Sequence, residues 1–267
     1  MTDYSRTLIV VLAAVSFCSL SYAQSMRLSA DRVYGKDDFK SVYYGRNNVI
    51  FKQSDQSVTQ YYAPQLGEVT RVDIINPLKI IVFYEQTQHV VVLDNRMNEI
   101  QRFSLAELIP GSYVTYVGLA GERRLWIYNA NTLTLDLYDY VNNRRILSTP
   151  PISDNVTTAT SDFNFCYLLT DDQLLMFNIY GSLTDTRNIS GKEIITDHDL
   201  IGVFHEGNFT FFKRTKDNRL GDLQLTWDEK LSAHLASEDV TDFFLRHNIL
   251  YLYHENQLVP YQLSQSK

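Results

Sequence analysis

Residues 68–94 read EVTRVDIINPLKIIVFYEQTQHVVVLD, and the two apolar runs inside them decide the fold. Ile80 to Tyr84 and Val90 to Leu93 are unbroken strings of β-formers joined by the polar EQTQH. Continuous apolar runs of this length bounded by turn residues describe strands buried on both faces, and so short a break makes them a hairpin. A hairpin with two apolar faces cannot stand alone in water, so it needs neighbours on either side.

The chain supplies them. RLWIYNANTLTLDLYDY (124–140), NFCYLLTDDQLLMFNIYG (164–181), IGVFHEGNFTFFKR (201–214) and NILYLYHENQLVPYQL (248–263) repeat the layout. A third strand follows in EIQRFSL (99–105), RRILST (144–149) and LGDLQLT (220–226). A small marker runs ahead of the hairpins: Val69-Thr70, Val114-Thr115, Val156-Thr157, Ile195-Thr196 and Val240-Thr241, at intervals of 45, 42, 39 and 45 residues. With the marker strand, each unit holds four strands in forty-odd residues, which is the period and content of a β-propeller blade. A sandwich or a pair of β domains is the alternative.

The ends fit a closed ring. Residues 41–64 hold three strands of an earlier unit, the last unit holds three, and MRLSADRVY (26–34) is free to supply the missing outer strand. Marker-type strands starting near Lys40 and at the five pairs give six blades of three to four antiparallel strands, with five or seven as neighbouring counts. DEKLSAHLASED (228–239), with Leu231 and Leu235 four apart, is the one clear helix candidate, between two blades, with an ordinary connecting loop as the alternative.

Residues 1–23 have the layout of an export signal: a short polar start with Arg6, an apolar run from about Leu8 to Leu20, and Ser21-Tyr22-Ala23 at the cleavage site. The run is shorter than the roughly 20 residues a membrane-spanning helix needs. Cys18 lies in VSFCS, where the bulky Phe17 disfavours a lipoprotein box. The expected domains are therefore a signal peptide, 1–23, and one propeller, 24–267. The remaining cysteine, Cys166 in FNFCYLL, has no partner for a disulfide and no base beside it in sequence, and reads as a small buried apolar residue.

The formal net charge is −7 with no basic block, which disfavours nucleic acid and anionic membrane surfaces as partners. No GxSxG, glycine-rich phosphate loop or paired-cysteine metal motif is present. His205-Glu206 and His254-Glu255 lack the second histidine of a zinc-protease helix and fall in hairpin turns. DHDL (197–200) places Asp197 and Asp199 on one face of a strand, a conceivable cation site short of the oxygens calcium takes. Asp73, Asp162, Asp197 and Asp242 follow the marker strands, where a hydrolytic propeller would gather acids, but at irregular offsets. The Asp136/Asp139 and Asp171-Asp172 pairs sit at turns or strand edges. Asn155, Asn188 and Asn208 head glycosylation sequons that chance accounts for. Tyr43, Tyr44, Tyr61 and Tyr62 either form an exposed anchor patch or fill the space between blades, and paired tyrosines pointing to opposite strand faces favour the second.

RRLWIYNANTLTLDLYDYVNNRRI, backed by IIVFYEQTQHVVVLDNRMNEIQRF, resembles exported β-propeller proteins of Bacteroidota, and among them the plug subunits of type 9 secretion translocons. The resemblance covers most of residues 26–264 and rests on pattern, with no invariant motif. It implies a periplasmic protein that seals the inner mouth of an outer-membrane barrel, with no catalytic residues and no cofactor to carry over. Two function classes therefore stand side by side: a non-enzymatic protein-interaction module held at the outer membrane by a partner, and a glycan-binding, small-ligand-binding or carbohydrate-active propeller. The sequence assigns no catalytic, metal or interface residue to either.

Overall fold

The structure is a computed structural model that describes residues 25–235 and 240–265. The signal peptide expected over 1–23 lies outside them. The described chain forms a six-bladed propeller, each blade a four-stranded antiparallel sheet. Blade 1 runs Arg32–Lys36, Val42–Arg46, Val49–Gln53 and Val58–Tyr61. Blade 2 runs Arg71–Asp73, Ile80–Tyr84, His89–Leu93 and Glu99–Ser104. Blade 3 takes Val114–Ala120, Arg124–Asn129, Thr134–Asp139 and Arg144–Ser148. Blade 4 takes Val156–Ser161, Phe165–Thr170, Gln173–Asn178 and Leu183–Asn188. Blade 5 holds Glu193–Asp197, Leu200–His205, Asn208–Arg214 and Leu220–Leu223. Blade 6 holds Val240–Arg246, Ile249–His254 and Gln257–Gln262, and its outer strand is Met26–Arg27.

The opening stretch shows why the apolar runs are continuous. Ile80, Val82 and Tyr84 pack against Tyr43, Ile50 and Tyr61 of blade 1, whereas Ile81 and Phe83 pack against Val117, Leu119 and Leu125 of blade 3. Alternate side chains leave opposite faces of a strand, so a sheet sandwiched between two others needs an apolar residue at every position. The same wedge recurs at the other seams. Cys166 lies in the seam between blades 3 and 4, fully buried, and burial pushes its thiol pKa up.

The ring closes as the last unit's missing strand suggests, but the first blade starts earlier than expected. Met26–Arg27 pairs antiparallel with Leu258 and Gln257, while Arg32–Lys36 is the innermost strand of blade 1. Lys40, near which the spacing starts a marker strand, is instead in the following turn with φ 67. Asp37 builds that turn by accepting the N–H groups of Phe39 at 2.9 Å and Ser41 at 2.8 Å. LGDLQLT also divides: Leu220–Leu223 ends blade 5, and Leu225–Thr226 pairs with Ser264–Gln265. The expected helix is Glu229–Leu235, capped by the Asp228 carboxylate on the Leu231 N–H at 2.9 Å. Its Leu231 and Leu235 are buried in the seam of blades 5 and 6.

Candidate functional site

The six innermost strands surround a central channel of about 1080 Å3. Bonds between blades show that these strands run the same way: Asp73 near the end of one reaches Leu119 near the end of the next, and Asp242 near the start of another reaches Val33 near the start of blade 1. The molecule therefore has an entry face, where innermost strands begin, and an exit face, where they end.

The Val-Thr marker has a local cause. Thr115, Thr157 and Thr241 each sit in a β-bulge at the start of an innermost strand. Thr157 and Thr241 donate their hydroxyls to Leu169 O and Tyr253 O of the second strand, and Thr70 Oγ1 accepts the Glu85 N–H at 2.9 Å. Ile195-Thr196 is out of phase. By register the equivalent position in blade 5 is Lys192, whose N–H bonds Phe204 O just as that of Thr70 bonds Phe83 O. Gly191 precedes it because a Cβ there would stand 2.5 Å from Val203 Cγ1 and 2.9 Å from Phe204 O.

One step beyond this position, every blade sends a residue to the channel at the same register, opposite the penultimate residue of its second strand. They are Arg32, Arg71, Tyr116, Thr158, Glu193 and Asp242, in ring order. The ring is polarised: cations on blades 1 and 2, neutral hydroxyls on 3 and 4, carboxylates on 5 and 6. Arg32 Nε lies 3.7 Å from Asp242 across the seam where the ring closes. Arg71 leans over the Tyr116 ring at 4.6 Å and donates to Ala159 O at 3.3 Å, and its Nε is buried without an acceptor. Glu193 is open to the channel but has protein on most sides, so burial pushes its carboxyl up against the pull of Arg32 and Arg71. Neither Arg71 nor Glu193 has an ion-pair partner among the described residues.

The four acids singled out in sequence all line this channel, but they hold blades together. Asp73 Oδ2 accepts the Leu119 N–H at 2.7 Å, Asp197 Oδ2 the His247 N–H at 2.6 Å and Asp242 Oδ2 the Val33 N–H at 2.8 Å, each from the next blade. Asp162 accepts from Arg214 of blade 5 at 2.6 Å and from two amides of its own turn. At the exit mouth Asp197 also meets His198 and Arg246, and Asp38 meets Arg246 and His247. The pair in DHDL does not assemble: Asp197 is committed in this way, and Asp199 faces Lys213 at 3.6 Å. No group of three or more metal-ligating side chains gathers among the described residues.

Of the four early tyrosines, Tyr43, Tyr44 and Tyr61 are buried between blades and only Tyr62 is exposed. Five large exposed apolar side chains lie on turns of the exit face, Phe39, Leu78, Val141, Phe163 and Tyr180, spread over blades 1 to 4, against three on the entry face, Tyr62, Tyr113 and Leu133. Phe39 and Tyr180 are 71% and 82% exposed. Sequence reasoning missed these and the ring. The ring had a signal, since Arg71, Tyr116, Thr158 and Asp242 directly follow marker threonines, but blade 1 lacks the marker and blade 5 carries it out of phase.

No protein-family model and no curated protein matches the sequence. Solved structures do match in fold. A selenomethionine-substituted virginiamycin B lyase from Staphylococcus aureus aligns at a TM-score of 0.61 and 10% identity, over 90% of this chain and 99% of that one. A chain of the mitotic checkpoint complex aligns at 0.57 and 15%, over 86% and 73%. PorZ, a surface component of the type-IX secretion system of Porphyromonas gingivalis, aligns at 0.46 and 14%, over 86% of this chain and 33% of that one. These identities establish the propeller and nothing about function, and the last alignment is too loose to weigh.

Proposed function

We propose that this chain is a non-enzymatic interaction module that docks a protein partner on its exit face. The observation that carries the reading is the arc of Phe39, Leu78, Val141, Phe163 and Tyr180 on turns of one face across four consecutive blades. Aromatic and aliphatic anchors on a rigid scaffold are what a protein interface is built around. The engagement of Asp73, Asp162, Asp197 and Asp242 in bonds between blades supports a non-catalytic role, because each carboxylate already holds a structural partner.

The finer reading follows the resemblance in sequence. After removal of residues 1–23 the propeller is periplasmic, held at the outer membrane by its partner, and it plugs the periplasmic end of an outer-membrane secretion channel. No helix among the described residues is long and apolar enough to cross a membrane, which suits attachment through a partner.

The test is affinity purification of the tagged protein from its native membranes, with identification of what co-purifies, alongside a Phe39→Ser/Tyr180→Ser variant whose melting curve matches the parent. A stoichiometric partner lost in the variant supports the module, and an outer-membrane barrel as that partner, left leaky when the propeller is deleted, supports the plug. Recovery of the protein alone, or equal recovery of partner by the variant, would overturn the docking reading.

A further inference from the structure

The channel ring carries an inference that does not depend on the exit face. Arg71 of blade 2 and Glu193 of blade 5 stand three blades apart in a ring of six, so they face each other across the channel. They occupy the same register, and their charges are opposite. Arg32 and Asp242, the other two charged members, already meet each other at 3.7 Å. Arg71 and Glu193 are therefore the pair left without an ion pair among the described residues, feeling other charges such as Asp73 and Arg32 only at longer range, and both line the channel.

A half-buried guanidinium without a carboxylate is costly unless something anionic meets it, and Glu193, open to the channel, is placed to meet a cation. Arg71 is also held in place: the Tyr116 ring supports its flat face, and Ala159 O fixes one terminal nitrogen. With Nε closed off by the fold, the second Nη1 hydrogen and Nη2 are left to offer a fork suited to a carboxylate. Between the two charges, the wall at blades 3 and 4 is lined by Tyr128, Ala130, Leu133 and Val156. This stretch has room for an apolar side chain and no charge to oppose it. The cavity, at about 1080 Å3, is at the upper end of small-ligand sites.

We propose that the channel binds a small zwitterion, with its carboxylate on Arg71, its ammonium group on Glu193 and an apolar side chain against Tyr128, Leu133 and Val156. Both a free α-amino acid and a short peptide with unblocked ends carry this chemistry.

The test is isothermal titration calorimetry of the purified protein with L-leucine, Leu-Leu, N-acetylleucine and leucinamide. The expected result is saturable heat with leucine or with Leu-Leu, whichever binds tighter naming the source, and at least about tenfold weaker binding of both blocked forms, since each loses one charge-assisted contact. Arg71→Met, with its melting curve compared to the parent, should lose the preference for a free carboxylate, and Arg71→Lys should recover part of it. Glu193→Gln, which leaves the Arg71 bracing untouched, should bind N-acetylleucine as well as it binds leucine. Absence of saturable heat with all four probes at millimolar concentration would overturn the proposal. So would equal binding of blocked and free forms by the parent, or an Arg71→Met protein that keeps its preference and merely melts earlier, which would leave Arg71 as a brace between blades 2 and 4.

Discussion

Asp73 ends the shortest of the innermost strands. Its Oδ2 accepts the Leu119 N–H at 2.7 Å and its Oδ1 the Ile75 N–H at 2.9 Å, so it ties blade 2 to blade 3 and turns the chain out of a three-residue inner strand. Burial pushes its carboxyl pKa up, with Arg71 and the two N–H groups pulling the other way. Replacement by alanine would leave those amides unpaired, one of them deep in the seam, at about 1–3 kcal/mol for each buried group. We expect Asp73→Ala to lower the unfolding free energy by about 2–4 kcal/mol in a urea titration. Asp199→Ala, which removes only a half-exposed contact with Lys213, should cost less than about 1 kcal/mol. Equal effects would mean that Asp73 is not a bond between blades. Whether an aspartate after a marker strand meets a ligand or a neighbour's amide depends on the register between blades, which no spacing within one blade contains. For that reason the acids could be found in the sequence and their role could not.

At the scale of elements, the ring depends on a short latch. Met26–Arg27 makes two pairings with the third strand of blade 6, and the Leu28 N–H adds a bond to Asn256 O at 2.9 Å. Pro260 is the next residue whose N–H would point outward along that edge, and proline has none, so the open edge stops there. Tyr253 supplies what the short strand lacks: its hydroxyl accepts the Ala30 N–H at 2.9 Å and lies 2.9 Å from Leu28 O. We expect Tyr253→Phe to cost about 1–2 kcal/mol and to speed hydrogen exchange of the amides of residues 26–30 while those of blade 3 keep their protection. Uniform loss of protection would instead assign Tyr253 to the core of the seam. The latch was legible because the last unit held three strands and the first segment had no hairpin of its own. The division of MRLSADRVY between blades 6 and 1 was not, since a single Ser29 and Asp31 mark a crossing no more strongly than Asp136 does inside its strand.

For the whole molecule, the two faces differ in kind. The turns of the entry face are acidic, with Asp31, Glu68, Glu107, Asp154, Asp171 and Glu255 all exposed, scattered lysines such as Lys192 and Lys230 among them, and fewer exposed apolar residues, Tyr62, Tyr113 and Leu133. The exit face carries both signs on its turns, among them Lys40, Lys79, Arg96, Asp55 and Asp217, together with the apolar arc over blades 1 to 4. The repeat period made the architecture readable, because burial on both faces of every blade leaves a periodic trace. The faces left none, since exposed turn side chains are not constrained by the packing between blades and follow no period. The contrast decides how a partner should respond to salt. A complex held through the entry face would rest on attraction between opposite charges and would fall apart as the Debye length shrinks to about 3 Å near 1 M salt. One held through Phe39, Leu78, Phe163 and Tyr180 rests on apolar burial, which salt does not screen. We therefore expect the partner recovered with this protein to stay bound through a wash in about 1 M sodium chloride and to be released by Phe39→Ser/Tyr180→Ser. Release by salt with retention by the variant would move the interface to the acidic face and make the partner a basic protein.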